Sequence, residues 1–184
     1  MADSTLNKLV QLIGANDGAV ALRQAAIKVG GVVGSSKERG MVKALLGVLG
    51  EADGNLRVAA IEALGHLQIE EALPQFAEII RHGGVEAEAA AHAASQLGAK
   101  GARVLGKIMH EAAPGLRSRL TGVLAKSGAG GALVVTAHAL LDADTKVVEA
   151  AARSLAMEVP SFTPPQRHAL ARFLLEELND KKAK

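Results

Sequence analysis

Between residues 56 and 67 the apolar positions Leu56, Ala60, Leu64 and Leu67 recur every three or four residues. Val58, Ile61 and Gly65 lie beside that stripe, while Arg57, Glu62 and His66 fall away from it. The spacing predicts an amphipathic helix with one wide apolar face. Just upstream, KERGMVKALLGVLG (37–50) places Met41, Leu45 and Leu49 on a common face, and the polar run EADGN (51–55) reads as a turn. Two antiparallel helices joined by a short link are therefore expected here.

The same pair recurs along the chain. Second helices are expected to open at Leu22, Leu56, Val85, Leu116 and Val147, which are 34, 29, 31 and 31 residues apart. A period near 30 residues with two helices per unit is the mark of an α-solenoid. The expected fold is thus all-α, a single domain over 1–184 with about five antiparallel helix pairs (4–35, 36–68, 69–98, 99–128 and 129–159) and a closing helix at 163–180. Thr163 as N-cap, Pro164 in the first turn and Gln166 three residues after the cap mark the start of that helix. Ala169, Leu170, Phe173, Leu174 and Leu178 would cover the last pair, and Arg167, Arg172, Glu176 and Lys181 would face water, so a whole array is expected. At the other end, Asp3 or Ser4 is the expected cap.

Composition sharpens this in two ways. Apolar residues make up 49% of the chain, yet Trp and Tyr are absent and only Phe76, Phe162 and Phe173 supply rings, so the core must be Ala, Leu, Val and Ile in close-packed helices. The absence of cysteine excludes a disulfide framework and a cysteine nucleophile. A formal charge of +2 provides no global field toward nucleic acid or membrane, and the chain has neither a signal-peptide pattern at its start nor a membrane-spanning apolar run. A soluble, cytoplasmic protein is expected.

Asp53, the run LRVAAIEALGHL from Leu56 and the run EEALPQFAEII from Glu70 resemble a short bacterial HEAT-like repeat, a type also found in phycobilisome-lyase-type repeat proteins. Arg57, Gly65 and Pro74 match its pattern, and Arg23 and Arg117 match in part, over residues 4–159. The third unit has Glu86 and the fifth Val148 where the pattern has arginine. The resemblance implies stacked second helices, with Asp17, Asp53 and Asp142 capping them and bonding across repeats with Arg23, Arg57 and Lys146.

Candidate chemistry is sparse. GGVVGSSK (30–37) lacks the spacing of a phosphate-binding loop and follows a helix, so Gly30 or Gly31 is expected to cap that helix. GAGG (128–131) lacks the third glycine of a dinucleotide motif, with Leu133 in its place. His66, His82, His92, His110, His138 and His168 form no pair at three or four residues' separation, and only stacking of second helices would bring two of them, His66 and His92, together. No catalytic constellation, cofactor or metal is expected.

Function is instead expected on the stacked second helices. Their outward rows read Arg57, Glu86, Arg117, Val148; then Glu62, Ala91, Gly122, Arg153; then His66, Ser95, Lys126, Met157. Arg57, Glu62, His66, Glu86, Ser95, Arg117, Lys126 and Arg153 are the candidate binding residues, and their mixed character suits a protein or peptide partner. Residues 62–98 carry six acids against Arg81 and residues 99–141 carry six bases against Glu111. That polarity suggests attraction between neighbouring surface helices, or else a bipolar docking surface or head-to-tail self-association. Lys100, Arg103 and Lys107 share a helix face as a candidate anion patch. The expected function is a non-catalytic scaffold or adaptor. Because HEAT-like families include such members, the alternative is a nucleic-acid-binding or bilin-lyase-type protein using the basic fourth unit.

Overall fold

A computed structural model describes residues 2–15, 19–126 and 130–182 of the chain. Among the described residues there are eleven α-helices, three short 3-10 turns and no strand. The helices are α1 (Ala2–Gly14), α2 (Val20–Val33), α3 (Arg39–Val48), α4 (Gly54–His66), α5 (Leu73–His82), α6 (Val85–Gln96), α7 (Gly98–Glu111), α8 (Pro114–Lys126), α9 (Gly130–His138), α10 (Thr145–Glu158) and α11 (Pro164–Lys182). No helix among the described residues is long and apolar enough to cross a membrane.

Helix limits follow from local chemistry. The Asp53 carboxylate accepts from the Asn55 and Leu56 amides at 2.8 and 3.1 Å, satisfying two of the donors that every helix start leaves open. At the other end of α4 the amides of Gln68 and Ile69 reach back to the Gly65 and Leu64 carbonyls, both at 3.0 Å. This closure needs a left-handed residue, and Gln68 supplies it with φ 55°. Pro74 stands in the first turn of α5, where its missing amide costs nothing. For α10 the cap is Asp144, which accepts from the Lys146 amide at 2.9 Å, rather than the expected Asp142. At the start of α11 the Thr163 amide and hydroxyl both donate to the Gln166 side-chain oxygen at 2.8 Å. Helix α1 begins at Ala2, so the expected caps Asp3 and Ser4 fall inside it. Asp17, Gly128 and the side chains of Leu178 and Lys181 lie outside the described residues.

The even-numbered helices pack in series, α2 on α4, α4 on α6, α6 on α8 and α8 on α10. On the other side α1 packs on α3, α5 on α7, α7 on α9, and α11 on α9. The interior between them is one continuous cluster from Ile13 to Ala151, with Phe76, Leu45, Leu64, Ile80 and Leu105 fully enclosed. Each such side chain contributes roughly 1.5–3 kcal/mol by leaving water.

Two expectations are corrected here. Gly30 and Gly31 do not end α2; the helix continues to Val33 and Gly34 caps it. Both are buried within the helix, and a methyl built on Gly31 would stand 2.7 Å from the Ala63 Cβ. They allow close approach instead of stopping the helix. The closing helix, in turn, shields only part of the last pair. Leu170 joins a small cluster with Leu133, Ala137, Leu155 and Phe162, and the Phe173 ring rests 4.9 Å from that of His138 on α9. The outer side of α10, with Ala152, Ala156 and Met157, stays exposed.

Left-handed backbone costs a side-chain-bearing residue roughly 1–2 kcal/mol relative to glycine. Gln68→Gly is therefore expected to stabilise the protein by about 1 kcal/mol, seen as a rise of about 2–4 °C in the thermal midpoint. An unchanged or lower midpoint would mean that Gln68 is not held in this conformation.

Candidate functional site

Three arginines repeat a single arrangement. Arg23 on α2 forks onto Glu51 with Nη1 and Nη2 at 2.8 and 2.6 Å, while its Nε and Nη2 donate to the Ile13 carbonyl at 3.2 and 2.8 Å. Arg57 on α4 forks onto Glu86 at 3.1 and 2.6 Å and donates Nη1 to the Glu51 carbonyl. Arg117 on α8 forks onto Asp142 with both bonds at 2.7 Å and donates Nη1 to the Ala112 carbonyl at 2.6 Å. Each guanidinium thus joins a carbonyl at or just beyond the C-terminal end of the odd-numbered helix before it to an acid in the first turn of the next even-numbered helix or just ahead of it. The planar fork with a third donor to spare is what arginine offers and lysine does not.

The electrostatics agree with the geometry. Each of the three arginines is held above its ordinary range, chiefly by the hydrogen bond to its acid, with burial opposing. The Asp142 carboxyl is held below the usual carboxylate range, first by the Arg117 hydrogen bond and further by the Asp144 amide, which donates to it at 2.9 Å. Burial works against that shift without reversing it.

These contacts sort the expected binding residues. Arg57 and Glu86 are engaged with one another, and Arg117 is engaged with Asp142. Ser95 is only 2% exposed, and its hydroxyl donates to the His92 carbonyl at 2.6 Å. It lies beneath the surface on which it was expected, and so does Ala91. The cause is register. The buried set Ala90, Ala91, Ala93, Ala94 and Ser95 aligns with Ala60, Ile61, Ala63, Leu64 and Gly65 at a shift of 30 residues, one more than the sequence spacing suggests. In that alignment His92 takes the place of Glu62, and Gln96 that of His66, so His66 and His92 do not correspond.

Glu62, His66, Lys126 and Arg153 are exposed, with no side-chain hydrogen bond or ion pair among the described residues. Glu88 and His92, missed by the sequence reading, are exposed on the same helix series, where His92 Nε2 lies 3.3 Å from the Gln96 amide nitrogen. In the anion patch, Lys100 is paired with Glu70, while Arg103 and Lys107 are exposed and unpaired among the described residues. Arg81 lies 3.7 Å from Glu111, so the acidic and basic units meet through Lys100–Glu70 and Arg81–Glu111. An open cleft of ≈ 630 Å³ beside α5 is lined by Arg81, His82, Ile108, Leu116 and Arg119, and one of ≈ 430 Å³ between α7 and α9 by Met109, His110, Val134 and His138. Among the described residues no three His, Asp or Glu side chains converge as metal ligands would.

No protein-family model matches the chain, and no curated protein matches it in sequence.

Charge-assisted hydrogen bonds in a mostly buried setting carry about 1.5–3 kcal/mol, whereas exposed pairs carry about 0–1 kcal/mol. Arg117→Ala is expected to cost about 2 kcal/mol in urea unfolding, and Lys100→Ala less than about 0.5 kcal/mol. Equal losses would refute the distinction. The lowered Asp142 pKa gives a pH signature as well. Its contribution is complete above the unfolded aspartate value of about 4 and disappears as pH falls through the lowered folded value. The stability advantage of wild type over Asp142→Asn is expected to be level near neutrality and to shrink below about pH 5. A constant difference down to pH 2 would contradict the assignment.

Proposed function

We propose that the chain is a HEAT-like α-solenoid that acts as a non-catalytic scaffold or adaptor, holding another protein or peptide against its even-numbered helices. The observation that carries this is the division of labour among charges on those helices. Arg23, Arg57 and Arg117 are bound within the fold, while Glu62, His66, Glu88, Lys126 and Arg153 stand outward without partners among the described residues. Unengaged groups of both signs, set on helices that pack in series, can match a folded or extended partner of complementary charge. A polyanion would instead favour a continuous basic track, and on α7 one of the three candidate cations already belongs to Glu70. A cytoplasmic setting goes with this function, in keeping with a sequence free of cysteine.

The test is capture from nuclease-treated native lysate by the immobilised protein and by a variant carrying Glu62→Lys, His92→Glu, Lys126→Glu and Arg153→Glu. All four positions are exposed, so the variant is expected to keep the wild-type thermal transition. Loss of a specific captured protein in the folded variant is the expected result. The proposal is overturned if both proteins capture the same partners, or if only nucleic acid from untreated lysate is retained and is released steeply between low and moderate salt.

A further inference from the structure

Among the described residues the step from α6 to α8 lacks the arginine fork that joins the other even-numbered helices, and it departs from them in two further ways. In the alignment that sets Arg57 against Ala87 and Arg117, Asp53 ahead of α4 and Asp144 ahead of α10 correspond to Gly83 and Ala113. The carboxylates of the two capped helices are thus replaced by residues without charge. The second departure lies on α8. Ala25, Ala59, Ala89 and Ala150 hold one position in α2, α4, α6 and α10, and Arg119 holds it in α8. A cation enters where those acids are missing.

The cleft of ≈ 630 Å³ beside α5 lies at this step, and Gly83, Ala113 and Arg119 all line it. Its volume falls within the roughly 300–1,000 Å³ of ligand pockets. Nη2 of Arg119 is 3.6 Å from where a Cβ on Gly83 would stand, so a carboxylate in that space would meet the guanidinium. Gly83 has φ 78° and ψ −163°, a conformation that L side chains rarely adopt, so the chain does not fill the space itself. The other arginine of the cleft is already matched, since Arg81 donates to Glu78 at 2.9 Å and lies 3.7 Å from Glu111. Arg119 is exposed and has no hydrogen bond or ion pair among the described residues. Buried Ile108, with half-buried Ala112 and Leu116, supplies an aliphatic floor. A guanidinium above such a floor suits a carboxylate carried beside an aliphatic group, whereas single-stranded nucleic acid would want stacking rings, which the lining lacks.

We infer that this cleft seats an acidic peptide segment of the partner, with an aliphatic side chain on Ile108 and Leu116 and a neighbouring aspartate or glutamate on Arg119. The inference rests on the scaffold reading and adds the seat and the chemistry of the partner. Arg119 and Lys126 are two turns apart on the same side of α8, about 10 Å. About three extended residues therefore lead from the cleft to the outward charges of the even-numbered helices.

Nuclear magnetic resonance tests this with isotope-labelled protein and a blocked pentapeptide in which a central leucine stands between pairs of glutamates. The amides of Gly83, Gly115 and Leu116 are expected to shift saturably. The same peptide with glutamine for glutamate, or with alanine for leucine, is expected to bind about tenfold more weakly. Arg119→Ala restores the residue that the other four helices carry, so the thermal transition is expected to stay unchanged while affinity falls about tenfold. Arg103→Ala, which removes an exposed cation outside the cleft, is expected to bind as wild type does. Three results would each overturn the inference: no saturable shift at the cleft, equal binding of the glutamine peptide, or unchanged affinity in Arg119→Ala. Shifts confined to Glu62, His92 and Lys126 would also overturn it while leaving the scaffold reading in place, and that reading fails separately, in the lysate capture.

Discussion

The fold depends on how closely the even-numbered helices approach one another. Where Gly31 meets Ala63 and Gly65 meets Ala93, there is no space for even one additional methyl group without movement. Backbones that close leave little room for rings, which explains a core of small aliphatic residues with Phe76 as its one fully enclosed aromatic. Packing at this density also makes the inter-helix distance a property of the sequence at two positions per helix.

The arginine forks act on the same step from outside the core. Arg23, Arg57 and Arg117 each join the end of one helix to the approach of another, fixing the orientation of helices that the glycine and alanine contacts have brought together. The α6-to-α8 step has no such arginine among the described residues, because Glu86 serves as the acceptor for Arg57 and Ala87, which aligns with Arg57, is buried. Among the described residues no arginine fork joins that step, and α6 packs directly on α8. Charges that look available in the sequence are thus divided between those engaged within the fold and those left exposed without an ion pair among the described residues, and only contacts in space separate the two groups.

Much of the helical pattern was legible in the chain because periodicity is strong where Leu, Ile and Val mark one face, as in α4. In α6 it failed by one residue for a physical reason. VEAEAAAHAASQ has alanine at most positions, and alanine is acceptable both inside and outside, so no stripe fixes the rotation of the helix. Ser95 was consequently expected in solvent and is buried. The acids that receive the arginines were also hidden, because Glu51, Glu86 and Asp142 sit at 28, 29 and 25 residues from their partners. Gln68 carries no mark of its left-handed backbone, since glycine is the residue that normally signals it. The place of α11 could not be read from its apolar face alone, because that face fits α9 as readily as α10.

The even-numbered helices are arranged in series from α2 to α10, and one long distance measures that arrangement. The chain has no cysteine, so the double substitution Lys28→Cys and Arg153→Cys allows two spin labels at exposed, register-equivalent positions. The labelled protein is diluted with unlabelled protein so that only pairs within one chain contribute to the signal. Four helix-to-helix steps of about 8–10 Å each give an expected single distance of roughly 30–40 Å by pulsed electron spin resonance. A distance below about 20 Å, two steps or fewer, would contradict the serial arrangement and the surfaces derived from it.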